Sequence, residues 1–392
     1  MHLYIISYYF IPYAGVGTRR IEYFIRYLLK KGYIITVFKA DNSFYPELSE
    51  TQLTHDRLTT INIHSSSQKK NKWYQAYYTG VVERIKSHGK PNLIIYSAGP
   101  FFYLKMSSLI KREFGIPYII DFRDTYLNTK GFYEKHKKFS AKRTLRFLLF
   151  RLFDEHKEAI LNADCITTVT NAEKQNLIKH YGSSLQKKIV TVRNGFNDLL
   201  INSMKESKIQ TQKKSINYKI GVFGKFAYYR PQDVDILLNA ILAQQVSSSV
   251  TLYLIGKKEN VFNERLRNDN HKINLIQTGF MGYSAGLKLL AQCDILVLNN
   301  RSSNALGTKI FDYIALNKPI IAFANPDSEI ANLLLPFENA FVIENETECK
   351  EVISSIFDLH ITYLDQNINL FDYSRLSQTK IFENLIEENL QT

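Results

Sequence analysis

The residues best suited to chemistry stand where a predicted helix begins. Gly307 and Thr308 close a polar loop, Lys309 falls in the first helical turn, and Asp312 follows about one turn later. The N–H groups at a helix start have no backbone partner and carry the positive end of the helix dipole, so they suit a phosphate. A lysine is unfavourable for the helix itself at this end, but a bound anion would turn that cost into a benefit. The pattern therefore predicts an anion site, and its alternative is a surface helix with an arbitrary lysine.

Two carboxylates flank an arginine at the end of a predicted strand. Residues 118–121 form a short run with three apolar side chains, and Asp121, Arg123 and Asp124 stand where that run ends. In a parallel sheet, ligands bind at the carboxyl ends of the strands. These three side chains could bind a polyol or act as acid and base. A self-satisfied cluster of surface ions is the alternative.

Two further loops follow short apolar runs and carry glycine or cations. The first contains Gly15 and Gly17, but it lacks the third glycine of a dinucleotide fingerprint, and Lys39 rather than an acid ends the next strand. We therefore reject nicotinamide and flavin binding. The second loop contains Lys225 and Arg230, which places two cations at the mouth of a second sheet. A tight turn in the first loop and solubilising charges in the second are the alternatives.

Apolar strand patterns and amphipathic helix patterns alternate along the chain, which predicts open parallel sheets. Residues 204–217 are polar and have no apolar periodicity, so we predict a linker there. The linker separates domains at 1–203 and 218–370, and residues 371–392 are predicted to contain a final helix. Each domain is long enough to bury a core of its own.

The composition is that of a soluble globular protein and narrows the choice of partners. Of the 392 residues, 45% are hydrophobic and 22% are charged, and the net charge of +13 predicts attraction to polyanions. Cys165, Cys293 and Cys349 show neither metal-ligand spacing nor a disulfide pattern, which favours a reducing, cytoplasmic compartment. No apolar run approaches roughly 18 residues, and the start lacks the features of a signal peptide, so we expect no membrane-spanning helix.

One predicted helix, residues 135–153, is strongly basic and contains no acid. Leucines form a stripe along it, while Phe147 and Phe150 fall among arginines on the remaining surface. Aromatic side chains interleaved with arginines suit the surface of an anionic bilayer. The alternative is a solvated basic face whose phenylalanines are covered by neighbouring loops.

The stretch GTKIFDYIALNKPIIAF, which begins at Gly307, resembles the sugar-nucleotide signature of retaining glycosyltransferases of the two-domain GT-B type, in the large family numbered four. The resemblance implies that the helix start near Gly307 and Thr308 holds the diphosphate of the nucleotide. It also implies that Asp312 replaces the glutamate that holds the ribose hydroxyls. Asn304 stands where the family often has a second glutamate, so this chain lacks an acid at that position.

Other segments extend the resemblance over nearly the whole chain. IIDFRDTY resembles a stretch of one branch of the family, and VTVRNGF resembles the turn between the domains. Gly279 and Phe280 lie in a segment whose backbone, in the family, reads the base. The loop of Gly15 and Gly17 faces the cleft there and lets the phosphates of the donor approach. The implied fold class is α/β, GT-B: two Rossmann-like domains with parallel sheets facing an interdomain cleft, with the final helix crossing back to the first domain.

The expected function is that of a retaining glycosyltransferase that moves a sugar from a UDP- or GDP-sugar to a saccharide acceptor. Lys225, Arg230 and Lys309 would oppose the charge of the leaving diphosphate, and Asp121, Arg123 and Asp124 would line the acceptor side. We expect neither a metal nor a cofactor to be required.

The expected acceptor is lipid-linked, in bacterial polysaccharide, capsule or lipopolysaccharide synthesis at the cytoplasmic face of the plasma membrane. A peripheral membrane location follows from the basic helix, and we expect no nucleic-acid partner. Two rivals remain: a sugar-nucleotide epimerase, and a non-catalytic relative that binds a nucleotide sugar and the membrane.

Overall fold

The computed structural model describes residues 1–129, 154–206, 217–228, 230–244, 249–267, 272–302, 305–359, 361 and 368–391. The predicted basic helix at 135–153, most of the predicted linker, and Asn304 lie outside these residues. The chain divides into two compact units, one of Met1–Asn194 with Gln378–Thr392 and the other of Gly195–Ser377.

The strands described in the first unit form a parallel sheet with the order β3-β2-β1-β4-β5-β6-β7. They are β1 (His2–Ile6), β2 (Ile34–Ala40), β3 (Leu58–Ile63), β4 (Leu93–Ala98), β5 (Tyr118–Phe122), β6 (Cys165–Thr168) and β7 (Ile189–Thr191). Their helices are α1 (Arg19–Lys30), α2 (Lys70–His88), α3 (Lys105–Phe114), α4 (Tyr126–Thr129), α5 (Lys157–Leu161) and α6 (Asn171–Tyr181).

The second unit repeats this arrangement with the strand order β10-β9-β8-β11-β12-β13, again parallel. Its strands are β8 (Tyr218–Phe223), β9 (Val250–Ile255), β10 (Ile273–Gly279), β11 (Ile295–Asn299), β12 (Ile320–Phe323) and β13 (Ala340–Ile343). Its helices are α7 (Asp198–Glu206), α8 (Gln232–Leu242), α9 (Asn260–Leu266), α10 (Tyr283–Leu290), α11 (Lys309–Leu316), α12 (Glu329–Leu334) and α13 (Glu346–Asp358). The predicted pair of parallel-sheet Rossmann-like domains is confirmed.

Each sheet has one position at which the direction of strand addition reverses. It lies between β1 and β4 in the first unit and between β8 and β11 in the second. Loops diverge at such a switch point, which leaves a crevice at the carboxyl ends of the two strands where ligands bind. A ligand site is therefore expected among the elements that follow these four strands.

The final helix, α14 (Arg375–Gln391), joins the first unit from Gln378 onwards. Phe382 stacks on Phe24 of α1 with ring centroids 4.4 Å apart, and the Tyr27 hydroxyl donates to Glu383 at 2.6 Å. Burial and the neighbouring Glu383 carboxylate both raise the pKa of Tyr27 above its ordinary value, because each disfavours the phenolate.

Most element boundaries follow local signals in the sequence. The Thr170 hydroxyl accepts from the Glu173 N–H at 3.1 Å and starts α6, which ends at Gly182. One predicted helix start was wrong, since α3 begins at Lys105 rather than at Phe101. A turn closed by the Leu104 N–H and the Phe101 carbonyl occupies the segment before it.

Candidate functional site

Helix α11 is fixed at the switch point of the second unit by one buried hydroxyl. Tyr313 is completely buried, and its hydroxyl donates to the Val297 carbonyl of β11 at 3.0 Å. The same oxygen accepts from the Phe223 N–H at the end of β8, at 2.9 Å. Since β8 and β11 are the strands that flank the switch point, the first turn of α11 is placed at their carboxyl edge.

The loop before α11 is organised by its own side chains. Asn300 accepts from the Ser302 N–H at 3.0 Å and donates to the Ala305 carbonyl at 3.3 Å. Ser302 in turn accepts from the Ala305 N–H at 3.2 Å. Gly307 is exposed, and a Cβ added to it would meet no atom of the described residues within 4 Å.

Lys309 lies in the first turn of α11, as predicted, and contacts the predicted loop of Lys225. Its Nζ donates to the Lys225 carbonyl at 3.2 Å. Burial lowers the pKa of Lys309 to about 8, while the negative charge of Glu259 partly opposes that shift. The structure thus brings together two of the predicted cationic residues, Lys225 and Lys309, in the second unit.

The side chain of Lys225 and the guanidinium of Arg230 are both exposed. The Lys225 ammonium lies 4.4 Å from the centroid of the Tyr228 ring, which favours a cation–π contact. Arg230 Nη1 lies 3.7 Å from Asp233 Oδ1, but the stronger partner of Asp233 is Arg301. Among the described residues, the ion pair that Arg230 forms with Asp233 is therefore a long one.

Arg301 is a site residue that the sequence did not indicate. Its guanidinium binds both oxygens of Asp233, at 3.0 and 2.7 Å, and donates to the carbonyls of Ala324 and Ile343. These contacts tie the loop after β11 to α8 and to the ends of β12 and β13. An arginine two residues after a buried strand was the available signal, but its partner lies 68 residues away in the sequence.

Asp312 is buried on α11, with 3% of its surface exposed. It accepts a hydrogen bond from the Tyr283 hydroxyl at 2.6 Å. Tyr283 begins α10 and was not among the predicted site residues. The ribose contact implied for Asp312 stays a prediction, and any such contact would share this carboxylate with Tyr283.

Three neighbouring strands of the second unit end in glycines with positive φ angles. Gly224 follows β8 (φ 84°), Gly256 follows β9 (φ 141°) and Gly279 ends β10 (φ 73°). These conformations favour glycine, and a Cβ on Gly256 would approach the Gly224 Cα at 3.2 Å. At these three positions the edge therefore presents backbone. Phe280 follows Gly279, with 95% of its surface exposed.

In the first unit, Asp121 is paired with an arginine that the sequence did not indicate. It is fully buried and binds the Arg20 guanidinium of α1, with Nη2 to Oδ1 at 2.8 Å, and it accepts from the Thr167 hydroxyl at 2.6 Å. The acceptor-side role of Asp121 stays a prediction, and its side-chain partners in this unit are Arg20 and Thr167. Asp121 therefore belongs to a buried ion pair with Arg20 and not to a surface cluster with Arg123 and Asp124.

Arg123 instead spans the switch point of the first unit. Its Nη1 donates to the Gly17 carbonyl at 2.6 Å, and its Nη2 donates to the Gly99 carbonyl in the loop after β4. Asp124 is exposed; surrounding protein raises the pKa of its carboxyl above the ordinary value by desolvation, and the Arg123 charge opposes this shift. Of the three predicted acceptor-side residues, only Asp124 presents an exposed side chain.

The glycines of the first loop have an explanation inside their own unit. A Cβ on Gly15 would overlap the Tyr13 ring, and a Cβ on Gly17 would overlap the Arg123 guanidinium. A larger residue at either position would therefore have to displace the Tyr13 ring or the Arg123 guanidinium. The predicted approach of a phosphate to this loop stays a prediction.

Within the described residues, no group of three His, Cys, Asp or Glu side chains is arranged to hold a metal ion. The three cysteines are free and buried. None of the helices in the described part of the chain has the length and apolar character needed to cross a bilayer.

Two family profiles match the chain, one in each half. The family described as "Glycosyltransferase Family 4" matches residues 17–198, and the family described as "Glycosyl transferases group 1" matches residues 217–360. A search of curated proteins found no match.

Solved structures with the same fold cover nearly the whole chain. The lipopolysaccharide outer core galactosyltransferase WaaB has a TM-score of 0.62 at 12% identity, covering 99% of each chain. HepE from Anabaena, in complex with UDP and glucose, has a TM-score of 0.58 at 14% identity, covering 99% of this chain and 100% of its own. UDP-GlcNAc 2-epimerase from Neisseria meningitidis, bound to UDP-GlcNAc, has a TM-score of 0.51 at 12% identity, covering 99% of this chain and 100% of its own. At such identities these likenesses show the fold alone.

Proposed function

The chain is a glycosyltransferase with the GT-B fold, and from this premise we propose that it moves a sugar from a nucleotide-sugar donor to a saccharide acceptor with retention of the anomeric configuration. The observation that carries the proposal is the contact between Lys309 and the Lys225 loop, at the start of α11. Two cations and a helix start at one switch point form an anion site.

The chemistry that this arrangement can support is stabilisation of a leaving group. Negative charge grows on the nucleoside diphosphate as its bond to the anomeric carbon breaks, and Lys225, Arg230, Lys309 and the N–H groups near Gly307 would oppose it. Lys309, which is held by the Lys225 carbonyl, and the N–H groups at the start of α11 are positioned before the reaction, so they need little reorganisation as the charge develops. The acceptor hydroxyl oxygen forms the new bond to the anomeric carbon, and its proton is released.

We propose UDP- or GDP-sugars as donors and a lipid-linked saccharide as acceptor, in the assembly of a bacterial surface polysaccharide. HepE in complex with UDP and glucose, and WaaB as a lipopolysaccharide galactosyltransferase, support these choices by likeness of fold. The net charge of +13 and the basic sequence at 135–153 support a peripheral position at an anionic membrane surface.

The donor can be identified by a thermal-shift screen across UDP-, GDP- and ADP-sugars, because a ligand that binds only the folded state raises the melting temperature. Turnover of the selected donor is then measured with and without saccharide acceptors, and NMR of the product anomer reports retention or inversion. Inversion would contradict the proposed mechanism.

The same experiment separates the rivals. Conversion of UDP-GlcNAc into its 2-epimer without an acceptor would identify an epimerase. Donor binding with neither hydrolysis nor transfer would identify a non-catalytic relative. Flotation with liposomes of increasing anionic lipid content tests the membrane proposal, and recovery that is independent of lipid charge would refute it.

A further inference from the structure

We propose that Glu259 is a positioning residue of the donor site, which holds the loop of Lys225 in place through the backbone. The inference rests on the proposed function, because it concerns the same diphosphate site. Glu259 lies between β9 and α9 and is half-buried.

Both oxygens of the Glu259 carboxylate bind the backbone of the loop. Oε2 accepts from the Phe226 N–H at 2.9 Å, and Oε1 accepts from the Ala227 N–H at 3.1 Å. These are the two peptide groups that directly follow Lys225. Hydrogen bonds to a charged acceptor are stronger than those between neutral groups, so the carboxylate clamps this turn of backbone.

The clamp is itself held on the sheet. The backbone N–H of Glu259 donates to the Gln277 side chain of β10 at 2.8 Å. On the loop side, the Phe226 ring is completely buried and packs against Phe262 and Phe323, with centroids 5.8 and 5.2 Å away. The Lys225 backbone is thus fixed by strands β8 to β10 and by the core, while its side chain stays exposed.

The negative charge of a carboxylate beside an anion site repels a diphosphate, so the presence of Glu259 there has to be explained. Both oxygens of Glu259 accept hydrogen bonds from backbone N–H groups of the loop, so the carboxylate positions the loop. The residual negative charge acts on Lys309, whose Nζ donates to the carbonyl of Lys225 itself. One acid therefore supports both cations, Lys225 through the loop and Lys309 through charge.

The test compares Glu259→Ala and Glu259→Gln with Glu264→Gln, a control at an exposed glutamate on the adjacent α9. Titration calorimetry measures the Kd of UDP and of GDP, and the variants are compared by their Kd for whichever nucleotide the wild type binds. Removing the acceptor of two loop N–H groups should weaken nucleotide binding by roughly tenfold in Glu259→Ala. Glu259→Gln, which keeps one acceptor, should lose less, and Glu264→Gln should match the wild type.

A double-mutant cycle with Lys225→Ala distinguishes positioning from general structural support. If Glu259 acts through Lys225, the loss caused by Lys225→Ala becomes smaller in the Glu259→Ala background. Additive losses, or an unchanged Kd in Glu259→Ala, would overturn the inference while leaving the proposed donor site intact. If Glu259→Ala does not fold, the same cycle is run with Glu259→Gln, and additivity there overturns the inference as well. Failure of the wild type to bind either nucleotide would instead overturn the donor site on which the inference rests.

Discussion

The switch points of the two units share a topology but differ in what occupies them. At the β1/β4 switch, side chains of the unit itself fill the positions next to the glycines: Tyr13 lies against Gly15, and Arg123 lies against Gly17 and Gly99. At the β8/β11 switch, a Cβ on Gly224 or Gly307 would meet no described atom within 4 Å. The same residue type therefore serves internal packing in one unit and leaves backbone accessible in the other.

The charged side chains near the two switch points also differ between the units. Asp121 of the first unit is neutralised by Arg20 within the core. At the edge of the second sheet, the Lys309 ammonium donates to a backbone carbonyl and the Lys225 ammonium lies against the Tyr228 ring. A repeated fold thus repeats the geometry but not the chemistry, and function has to be argued from the particular side chains. Four experiments can break or sharpen this comparison.

The largest effect is expected on the stability of the first unit. Asp121→Ala would leave the Arg20 guanidinium buried without its carboxylate, which should lower the free energy of unfolding by about 3–5 kcal/mol. Asp124→Ala, at the exposed neighbour, should change it by less than about 0.5 kcal/mol. Urea denaturation measures both. A stable Asp121→Ala variant that had lost only acceptor turnover would support the sequence-based role for Asp121.

In the second unit the largest effect should fall on activity instead. Lys309→Ala removes a fixed cation from the leaving diphosphate and should lower kcat/KM for the donor by roughly 100- to 1,000-fold. Lys288→Ala, an exposed lysine on α10, serves as the control and should match the wild type. Steady-state donor turnover measures the change. Equal activity of both variants would show that α11 does not hold the diphosphate.

The two sets of glycines give the most direct comparison. Gly307→Ala adds a methyl group in free space, so the melting temperature should hold while the donor Kd rises by roughly 10- to 100-fold, if phosphate approaches that backbone. Gly17→Ala would displace the Arg123 guanidinium from the Gly17 and Gly99 carbonyls, so the melting temperature should fall. If both variants have lower melting temperatures and unchanged donor Kd values, the proposed difference between the two sets of glycines is contradicted.

The smallest effect concerns pH. Because the pKa of Lys309 is about 8, donor affinity should fall as pH rises through 8, by about tenfold between pH 7 and 9. Stability responds in the opposite direction. The lysine pKa is lower in the folded chain than the ordinary 10.5, so the cost of the charged form is fully present below pH 8 and is relieved as pH rises towards 10.5. Differences between wild type and Lys309→Met isolate both trends, and parallel pH profiles would contradict them.

Local signals in the sequence were sufficient for the elements and for part of the site. Short apolar runs predicted the strands, a glycine marked the end of α6, and Lys225 and Lys309 stood out because loop and helix starts are local features. Long-range pairing could not be read in this way. Arg20 is 101 residues from Asp121, and nothing in either segment specifies the other. The functions of buried acids therefore needed the structure, whereas those of edge cations could be proposed without it.

Phe280, which follows β10, has 95% of its surface exposed, so this position could carry a fluorescent reporter. The chain has a single tryptophan, Trp73, which is buried in the other unit. An indole in water emits at longer wavelength than one in a protein core, so Phe280→Trp would add a fluorophore whose emission separates from that of Trp73. Quenching of that red-shifted band by a nucleotide would report occupancy of the second unit alone, in real time and without a label.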